Sequence, residues 1–487
     1  MSDSVLPANW AEAQFDDVIT FRTGYAFKSS EFKPNGVFVL RVTNISPSGD
    51  IDLDNPIFIS QKDYEAKYRD FSLNDGDVVI VMVGATTGKL GRIKQEILPA
   101  VLNQNMWKLS PKYSDEVGRK FLYYYLRHIQ PEVLKGAGGS ATGFIKQGDF
   151  KQRKYPLPPV GEQNRIVAKI ESTQEKIKTI EESVSKAEEL IGKYRESLLQ
   201  KAFRGQLVPQ DPNDEPASEL LKRIRAERAQ ATDSKKKEKE DLPPISDDEI
   251  PFEIPKSWEW VSLKLILEKL TDGTHHSPPN HDKGDFKYIS AKNIKDWGID
   301  LTKITYVSKS VHKEIYSRCD PKFGDVLLIK DGATTGIATI NTLDEPFSML
   351  SSVALLRPSI GLTSDYLLWF LKSNEFQAQI LGDMAGAAIK RVTLSKLANM
   401  LIPLPPLKEQ GRIIAEINMS IGKLEESKKA LNDIAENAKS LSQSILSSAF
   451  SGKLVPQNPS EGTGHELLKK IESEESPAAE TKALKKP

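Results

Sequence analysis

Two stretches of this chain are written twice. Pro156-Leu157-Pro158-Pro159, followed by Glu162-Gln163 and Arg165-Ile166-Val167, returns 247 positions later as Pro403-Leu404-Pro405-Pro406 with Glu409-Gln410 and Arg412-Ile413-Ile414. Ala202-Phe203-Arg204-Gly205-Gln206-Leu207-Val208-Pro209-Gln210 returns at the same offset as Ala449-Phe450-Ser451-Gly452-Lys453-Leu454-Val455-Pro456-Gln457. Everything between the two motifs has therefore kept its length. A period this long means two related domains, because solenoid repeats run roughly 20–50 residues. At about 150 residues per domain, a chain of 487 residues holds two or three.

Weaker matches extend the repeat. Leu6-Pro7 before Trp10 pairs with Ile254-Pro255 before Trp258, and Val39 to Ile45 pairs with Tyr288 to Ile294. Gly76-Asp77-Val78-Val79-Ile80 pairs with Gly324-Asp325-Val326-Leu327-Leu328, and each leads into a Gly-Ala-Thr-Thr-Gly turn. Short β-branched runs punctuated by Gly, Pro, Asn and Asp predict strands and turns. Helical segments over Gly118 to Ile129 and Ser364 to Phe376 follow. Each half thus opens with a globular α/β unit, residues 1–155 and 255–402, of ordinary domain size.

A long helix then follows in each half, within 156–210 and 403–457. Apolar residues fall at Ile166, Ile170, Ile177, Ile180, Val184, Ala187, Ile191, Tyr194 and Leu198 in the first. In the second they fall at Ile413, Ile417, Leu424, Leu431, Ile434, Ala438, Leu441 and Ile445. Spacings of three, four and seven make a narrow heptad seam, suited to one partner helix. About 40 residues at 1.5 Å each give a rod of about 60 Å. Gly205 and Gly452 fit the glycine stop of a helix. Antiparallel pairing of the two helices would bring Ile170 near Ile445 and Leu198 near Ile417; the alternative is two helices that each cover their own domain.

Residues 211–254 read as a linker. It holds a short basic helix over Ala217 to Arg228, the charge run Lys235-Lys236-Lys237-Glu238-Lys239-Glu240-Asp241, and an extended, proline-rich and acidic stretch to Pro255. The tail, 458–487, repeats the short helix through Leu467-Leu468-Lys469-Lys470-Ile471 and is expected to be disordered past Glu472.

Composition removes several function classes. With 39% hydrophobic and 28% charged residues the chain is globular. Its longest apolar run, Val78 to Val83, falls well short of the ~18 residues of a membrane span. Met1 to Asn9 has no signal-peptide character, and the single Cys319 excludes an internal disulfide or a thiolate cluster. A reducing, cytoplasmic location is expected. Sixty-seven basic residues balance 67 acidic ones, which argues against nucleic-acid binding by bulk charge and leaves local patches or basic partners.

No catalytic motif stands out. Gly84-Ala85-Thr86-Thr87-Gly88-Lys89 has three residues between its glycines where a phosphate-cradling loop needs four, and Leu90 follows the lysine. The second copy has Ile337 in the lysine position, so a tight strand-connecting turn is favoured. His275, His276 and His281 near Asp272 have no counterpart in the matching loop Thr23-Gly24-Tyr25-Ala26-Phe27-Lys28, so an exposed recognition or solvated loop is favoured over a metal site. Glu65-Ala66-Lys67 downstream of Asp50 is absent from the second copy and reads as surface charge.

Basic clusters precede both long helices: Lys146, Lys151, Arg153 and Lys154, then Lys390, Arg391 and Lys396, beside Gly138-Gly139-Ser140 and Gly386-Ala387-Ala388. Recurrence at one place in both halves makes them candidates for phosphate contact rather than a solvated face. Asn103-Gln104-Asn105 and Ser351-Ser352 carry amides and hydroxyls suited either to base edges or to capping strand ends.

The duplicated Pro-Leu-Pro-Pro…Glu-Gln start, the Ala-Phe…Gly…Leu-Val-Pro ending and Thr271-Asp272-Gly273-Thr274-His275, taken in this order over the whole chain, resemble the specificity subunits of type I restriction–modification systems. The resemblance implies an α+β architecture. Two globular α/β target-recognition domains would be joined by two long antiparallel coiled-coil helices with an internal pseudo-two-fold repeat. It implies a non-catalytic subunit whose domains each read one half of a bipartite, asymmetric DNA target. The helices would set the spacing and dock two modification subunits that methylate adenine, with restriction/translocase subunits joining them. No cofactor is expected on this chain; S-adenosylmethionine, ATP and magnesium belong to the partners, and no membrane is involved.

On that reading the DNA-contacting candidates of the first domain are Thr23, Tyr25, Lys28, Arg41, Asn44, Thr87 and Lys89, with Asn103, Gln104, Asn105 and Lys146. Those of the second are Thr274, His275, His276, Lys292, Asn293 and Lys330, with Thr335, Ser351, Lys390 and Arg391. Helix pairing is assigned to Ile166, Ile170, Ile177, Val184, Ile191 and Leu198 against Ile413, Ile417, Leu424, Leu431, Ala438 and Ile445. The rival classes are a nucleotide-using enzyme and a structural coiled-coil scaffold.

Overall fold

The computed structural model describes residues 6–46, 48–84, 86–113, 116–137, 144–231, 245–246, 249–381 and 391–483. The charge run from Lys235, the small-residue stretches at 138–140 and 386–388, and Lys390 lie outside the described residues. Contacts divide the chain into two units, Met1–Val184 with Asn432–Pro487, and Ser185–Leu431. Each unit therefore takes the start of one long helix and the end of the other, which the linear division into halves does not convey.

The first unit contains β1 (Ala11–Gln14), β2 (Ile19–Thr23), β3 (Val37–Leu40), β4 (Phe58–Ile59), β5 (Val78–Val81), β6 (Leu90–Arg92), β7 (Ala100–Leu102), β8 (Met106–Pro111) and β9 (Lys154–Leu157). They form a four-stranded sheet ordered β2-β8-β5-β6, a three-stranded sheet β4-β3-β7, and the pair β1-β9. All ladders of the four-stranded sheet are antiparallel, whereas β3 and β7 run parallel with Val39 opposite Val101.

The second unit contains β10 (Glu259–Ser262), β11 (Leu267–Asp272), β12 (Phe286–Ile289), β13 (Ile294–Lys295), β14 (Gly298–Ile299), β15 (Thr305–Val307), β16 (Val326–Ile329), β17 (Ala338–Ile340), β18 (Ser348–Met349), β19 (Val353–Pro358) and β20 (Leu401–Leu404). The orders β11-β19-β16-β17, β15-β12-β18 and β10-β20 reproduce those of the first unit, and the antiparallel pair β13-β14 is additional. The repeat seen in sequence is thus a repeat of topology.

Burial explains why the Gly-Asp-Val strands are uniformly apolar. Side chains alternate across a strand, and β5 sends Val78 and Ile80 into one core and Val79 and Val81 into another. In the same way β16 divides Val326 and Leu328 from Leu327 and Ile329. The shared aspartates anchor the strand starts. Asp77 accepts from the Asn74 amide at 2.8 Å and pairs with Lys108 at 3.1 Å. Asp325 accepts from the Lys322 amide at 2.8 Å and from Nε and Nη2 on one guanidinium edge of Arg357, at 2.9 and 2.8 Å.

The long helices span Val160–Phe203 and Leu407–Phe450, 44 residues each. In the first unit Ile166, Val167 and Ile170 share one core with Ile445, Ala449 and Phe450, so one helix leaves the domain where the other arrives. In the second unit the core contains Leu199, Ala202 and Phe203 together with Ile413 and Ile417. Leu199, rather than the expected Leu198, joins that core, although Leu198 is also buried. Ile177, Val184 and Ala438 are buried, and Ile191, Leu424 and Leu431 are half-buried. Ile180, Tyr194, Ile434 and Leu441, which fit the same periodicity, face solvent.

The short helix Ala217–Ala231 packs into the second unit through Leu220, Leu221 and Ile224. Its tail counterpart runs Gly464–Ala483 and buries Ile471 in the first unit. Among the described residues no helix is long and apolar enough to cross a membrane.

Candidate nucleic-acid interface

Four loop segments of each unit are zipped together by the same chain of main-chain hydrogen bonds. In the first unit Tyr25 N donates to Leu102 O (2.9 Å), Gln104 N to Tyr25 O (2.9 Å), Met82 N to Asn105 O (2.9 Å) and Ile145 N to Met82 O (2.9 Å). In the second, Thr274 N donates to Met349 O (2.9 Å), Ser351 N to Thr274 O (2.8 Å), Lys330 N to Ser352 O (2.9 Å) and Val392 N to Lys330 O (2.8 Å). The loops cross so closely that a Cβ on Gly24 would lie 1.9 Å from Asn103 O, and one on Gly273 1.9 Å from Met349 O. Only glycine fits there, which accounts for its presence in both copies.

This cluster brings together the expected Tyr25, Asn103, Gln104, Asn105 and Lys146 in one unit, and Thr274, His275, Ser351 and Arg391 in the other. Thr23 ends β2, and Lys28 begins a short 3-10 turn whose Glu31 accepts the Lys28 amide. Gln104, Asn105, Lys28 and Lys146 are exposed, and Asn105 has φ 71°. Tyr25 is half-buried, its ring 5.0–5.1 Å from those of Phe27, Tyr68 and Phe71. The Tyr68 hydroxyl donates to Glu31 and holds that carboxyl below its ordinary range. The first platform is therefore aromatic and amide-rich.

The second platform is ionic. Asp272 is buried, accepts from Arg318, and lies 3.5 Å from the buried Lys330 ammonium, which also donates to Asp331 at 2.9 Å. His275 is exposed with Nε2 3.0 Å from Arg318, Thr274 Oγ1 accepts the His276 amide at 3.3 Å, and Lys292 is exposed. At the positions matching Asp272, Lys330 and Asp331, the first unit has Thr23, Met82 and Val83.

Several expected contacts are instead internal supports. Asn44 is buried, accepting the Arg41 amide at 3.1 Å and donating to Asp52 O at 3.0 Å; Asn293 repeats this with the Ser290 amide at 3.0 Å and Asp300 O at 3.1 Å. Arg41 donates to Asn55 O, and the Lys89 ammonium to Ile45 O. Thr87 and Thr335 are buried with hydroxyls on the Gly84 and Gly332 carbonyls, at 2.7 and 2.8 Å. The amides of Thr87 and Gly88 also close back onto the turn, which leaves those donors with no phosphate to cradle. Lys330 is 2% exposed and held by two carboxylates, so it cannot reach a ligand. A buried polar group needs its partners within the fold, and a hydrophilic residue type alone does not reveal that they are already there.

In the basic cluster ahead of the first long helix, Lys151 and Lys154 pair with carboxylates, at 2.8 Å from Asp16 and 2.9 Å from Glu12. Lys67 pairs with Asp63, a surface contact. Among the described residues no group of three or more His, Cys, Asp or Glu could hold a metal. Cys319 is buried, and burial pushes its thiol up to about 12. Arg318 and Phe144 were missed in the sequence; Phe144 is visible in retrospect because it stands 247 positions before Arg391.

Comparison with known proteins agrees with this repeated scaffold. The chain is 31% identical to the specificity subunit of the type I restriction enzyme EcoAI of Escherichia coli, over 61% of this chain and 57% of that one. That match spans little more than half the relative's length. Over the full length of both chains it is 20% identical to the EcoKI specificity subunit of Escherichia coli strain K12. Two solved structures share the fold. One, described as the basis of complex assembly and conformational transition in a type I R-M system, has TM-score 0.62 at 20% identity, covering 92% of this chain and 99% of that one. The other, the HsdS subunit of Thermoanaerobacter tengcongensis, has TM-score 0.54 at 19% identity, covering 92% and 98%. With the type I restriction modification DNA specificity domain matched at both residues 7–189 and 255–435, well over half its length, the chain belongs to that family.

Proposed function

We propose that this chain is the DNA-reading subunit of a type I restriction–modification complex, each unit recognising one half of a bipartite target through its zipped loop platform. The observation that supports this best is the pairing of one hydrogen-bonded frame with two different sets of side chains. Bases are discriminated by the donors, acceptors and apolar groups presented to their edges. An aromatic and amide platform beside an ionic one therefore gives an asymmetric address. The two long helices set the spacer between half-sites and dock two modification subunits, with exposed Leu190, Tyr194, Met419 and Leu441 as apolar contact points. Those partners bring S-adenosylmethionine and methylate adenine; restriction/translocase subunits bring ATP and magnesium. The complex works in the cytoplasm, on its DNA.

Replacing residues 1–155 with another recognition domain tests the reading. Methylated-base mapping should then show one half-site changed and the other kept. An unchanged methylation pattern contradicts it.

A further inference from the structure

One backbone position is equivalent in both platforms and carries opposite chemistry. In the first unit Phe144 forms an antiparallel bridge with Val83, and the next residue, Ile145, donates to Met82 O. In the second unit Arg391 bridges Asp331 in the same way, and Val392 donates to Lys330 O. The main chain under each side chain is thereby fixed, while the side chains project outward: Phe144 is 50% exposed, and the Arg391 side chain 62%. A large ring half in water has no use in the core of its own domain.

Among the described residues, Arg391 is the exposed cation on the segment that the zipped hydrogen bonds hold against Asp331. Lys330 is buried, and Arg318 is tied to buried Asp272 and lies against His275. The Arg391 Nε edge faces Asp331 Oδ1 at 3.5 Å, and that oxygen is buried with no hydrogen-bond partner. Asp331 itself is held from behind by the Lys330 ammonium. A carboxylate beside Nε restricts the rotamers of a long side chain and leaves the terminal Nη edge outward. That edge matches the two acceptors, O6 and N7, that guanine shows in the major groove. An exposed ring at the equivalent position matches the thymine methyl.

We propose that residues 144 and 391 are the same base-reading station in the two domains, with Arg391, braced by Asp331, selecting a guanine in one half-site and Phe144 selecting a thymine in the other. The inference rests on the proposed DNA-reading role and specifies its chemistry.

The test uses the full chain expressed with its modification partner, methylated-base mapping, and competition binding at two salt concentrations. Arg391→Ala and Arg391→Lys should both relax one guanine position of one half-site, by roughly 5- to 150-fold in discrimination, and leave the other half-site intact. Lysine keeps the charge but loses the planar fork, so a loss confined to that guanine position in both variants marks a base contact. Phe144→Ala should relax a thymine position in the opposite half-site only. Unchanged targets in these variants overturn the proposal. So does a uniform loss across all sequences with a shallower salt dependence, because that is the signature of a phosphate contact. A wild-type chain that directs no bipartite methylation would overturn the DNA-reading role itself, a result distinct from either.

Discussion

Gln457 donates from its side-chain amide to the buried carboxylate of Glu162 at 2.9 Å, joining the segment that follows the second long helix to the start of the first. Trp10 and Asn9 donate to the same carboxylate, each at 2.9 Å. In the second unit Gln210 donates to Glu409 at 2.7 Å. The two most conspicuous motifs of the sequence are therefore the two halves of one clasp, closed once per unit. Charge-assisted hydrogen bonds of this kind contribute about 1.5–3 kcal/mol. Trp10→Phe should lower stability in denaturant unfolding by about that amount, and Gln457→Ala by a similar or smaller one, since Gln457 is less buried.

Gly452 sits beside the clasp with φ +69°, and a Cβ there would lie 2.1 Å from Pro7 Cγ. Gly205 repeats this against Pro255, with φ +68° and 2.3 Å. Gly452→Ala combines left-handed backbone strain with overlap and should destabilise by about 2 kcal/mol or more. A melting temperature equal to wild type would show that the Pro7 segment moves away freely.

The pair Arg357–Asp325 is buried and bidentate, and although Arg357 also lies 3.5 Å from Asp320, removing Asp325 strips the buried guanidinium of its main partner. Asp325→Ala should cost about 3–5 kcal/mol in the cooperative unfolding of the second unit. Replacing both residues with apolar ones of similar volume should cost far less, and a double-mutant cycle measures the difference.

Much of this frame is readable in the sequence, because strand runs such as Val78 to Val81 and the heptad residues Ile166, Ile170, Ile413 and Ile417 are set by local periodicity. The meeting of one long helix's start with the other's end inside each unit is not. Glu162 and Gln457 lie nearly 300 residues apart, and nothing local in either residue names its partner. Nor does periodicity tell a seam from an outer stripe: Ile180 and Leu441 keep the spacing and face water. Among the platform residues, polar type alone did not distinguish exposed Gln104 from buried Asn44 or Lys330. That difference lies in whether the turn around the residue already uses its donors and acceptors.

Burial raises the Glu409 carboxyl above its ordinary value, only partly offset by the Trp258 indole, the Gln210 amide and the charge of Arg412. The folded state thus holds that proton more tightly than the unfolded chain, so stability falls as pH rises through the raised pKa. Relative to Glu409→Gln, which does not titrate, the wild-type chain should gain stability as pH is lowered from neutrality into the range just above 4.5. Parallel thermal melts of the two proteins across that range check the sign; a constant difference contradicts it.

Helix pairing is tested by Ile170→Cys with Ile445→Cys, since both residues lie in one core and native Cys319 is buried. Mild oxidation of the assembled chain should cross-link them, and reduction should reverse it.

The central claim is that a repeated frame presents two different addresses. Methylated-adenine mapping in cells expressing the chain with its partners, before and after exchange of residues 1–155, tests it most directly. The account predicts an asymmetric bipartite target in which the exchange alters one half-site and leaves the other and the spacer unchanged. A target that stays the same after the exchange, or one that changes in both halves, would contradict it.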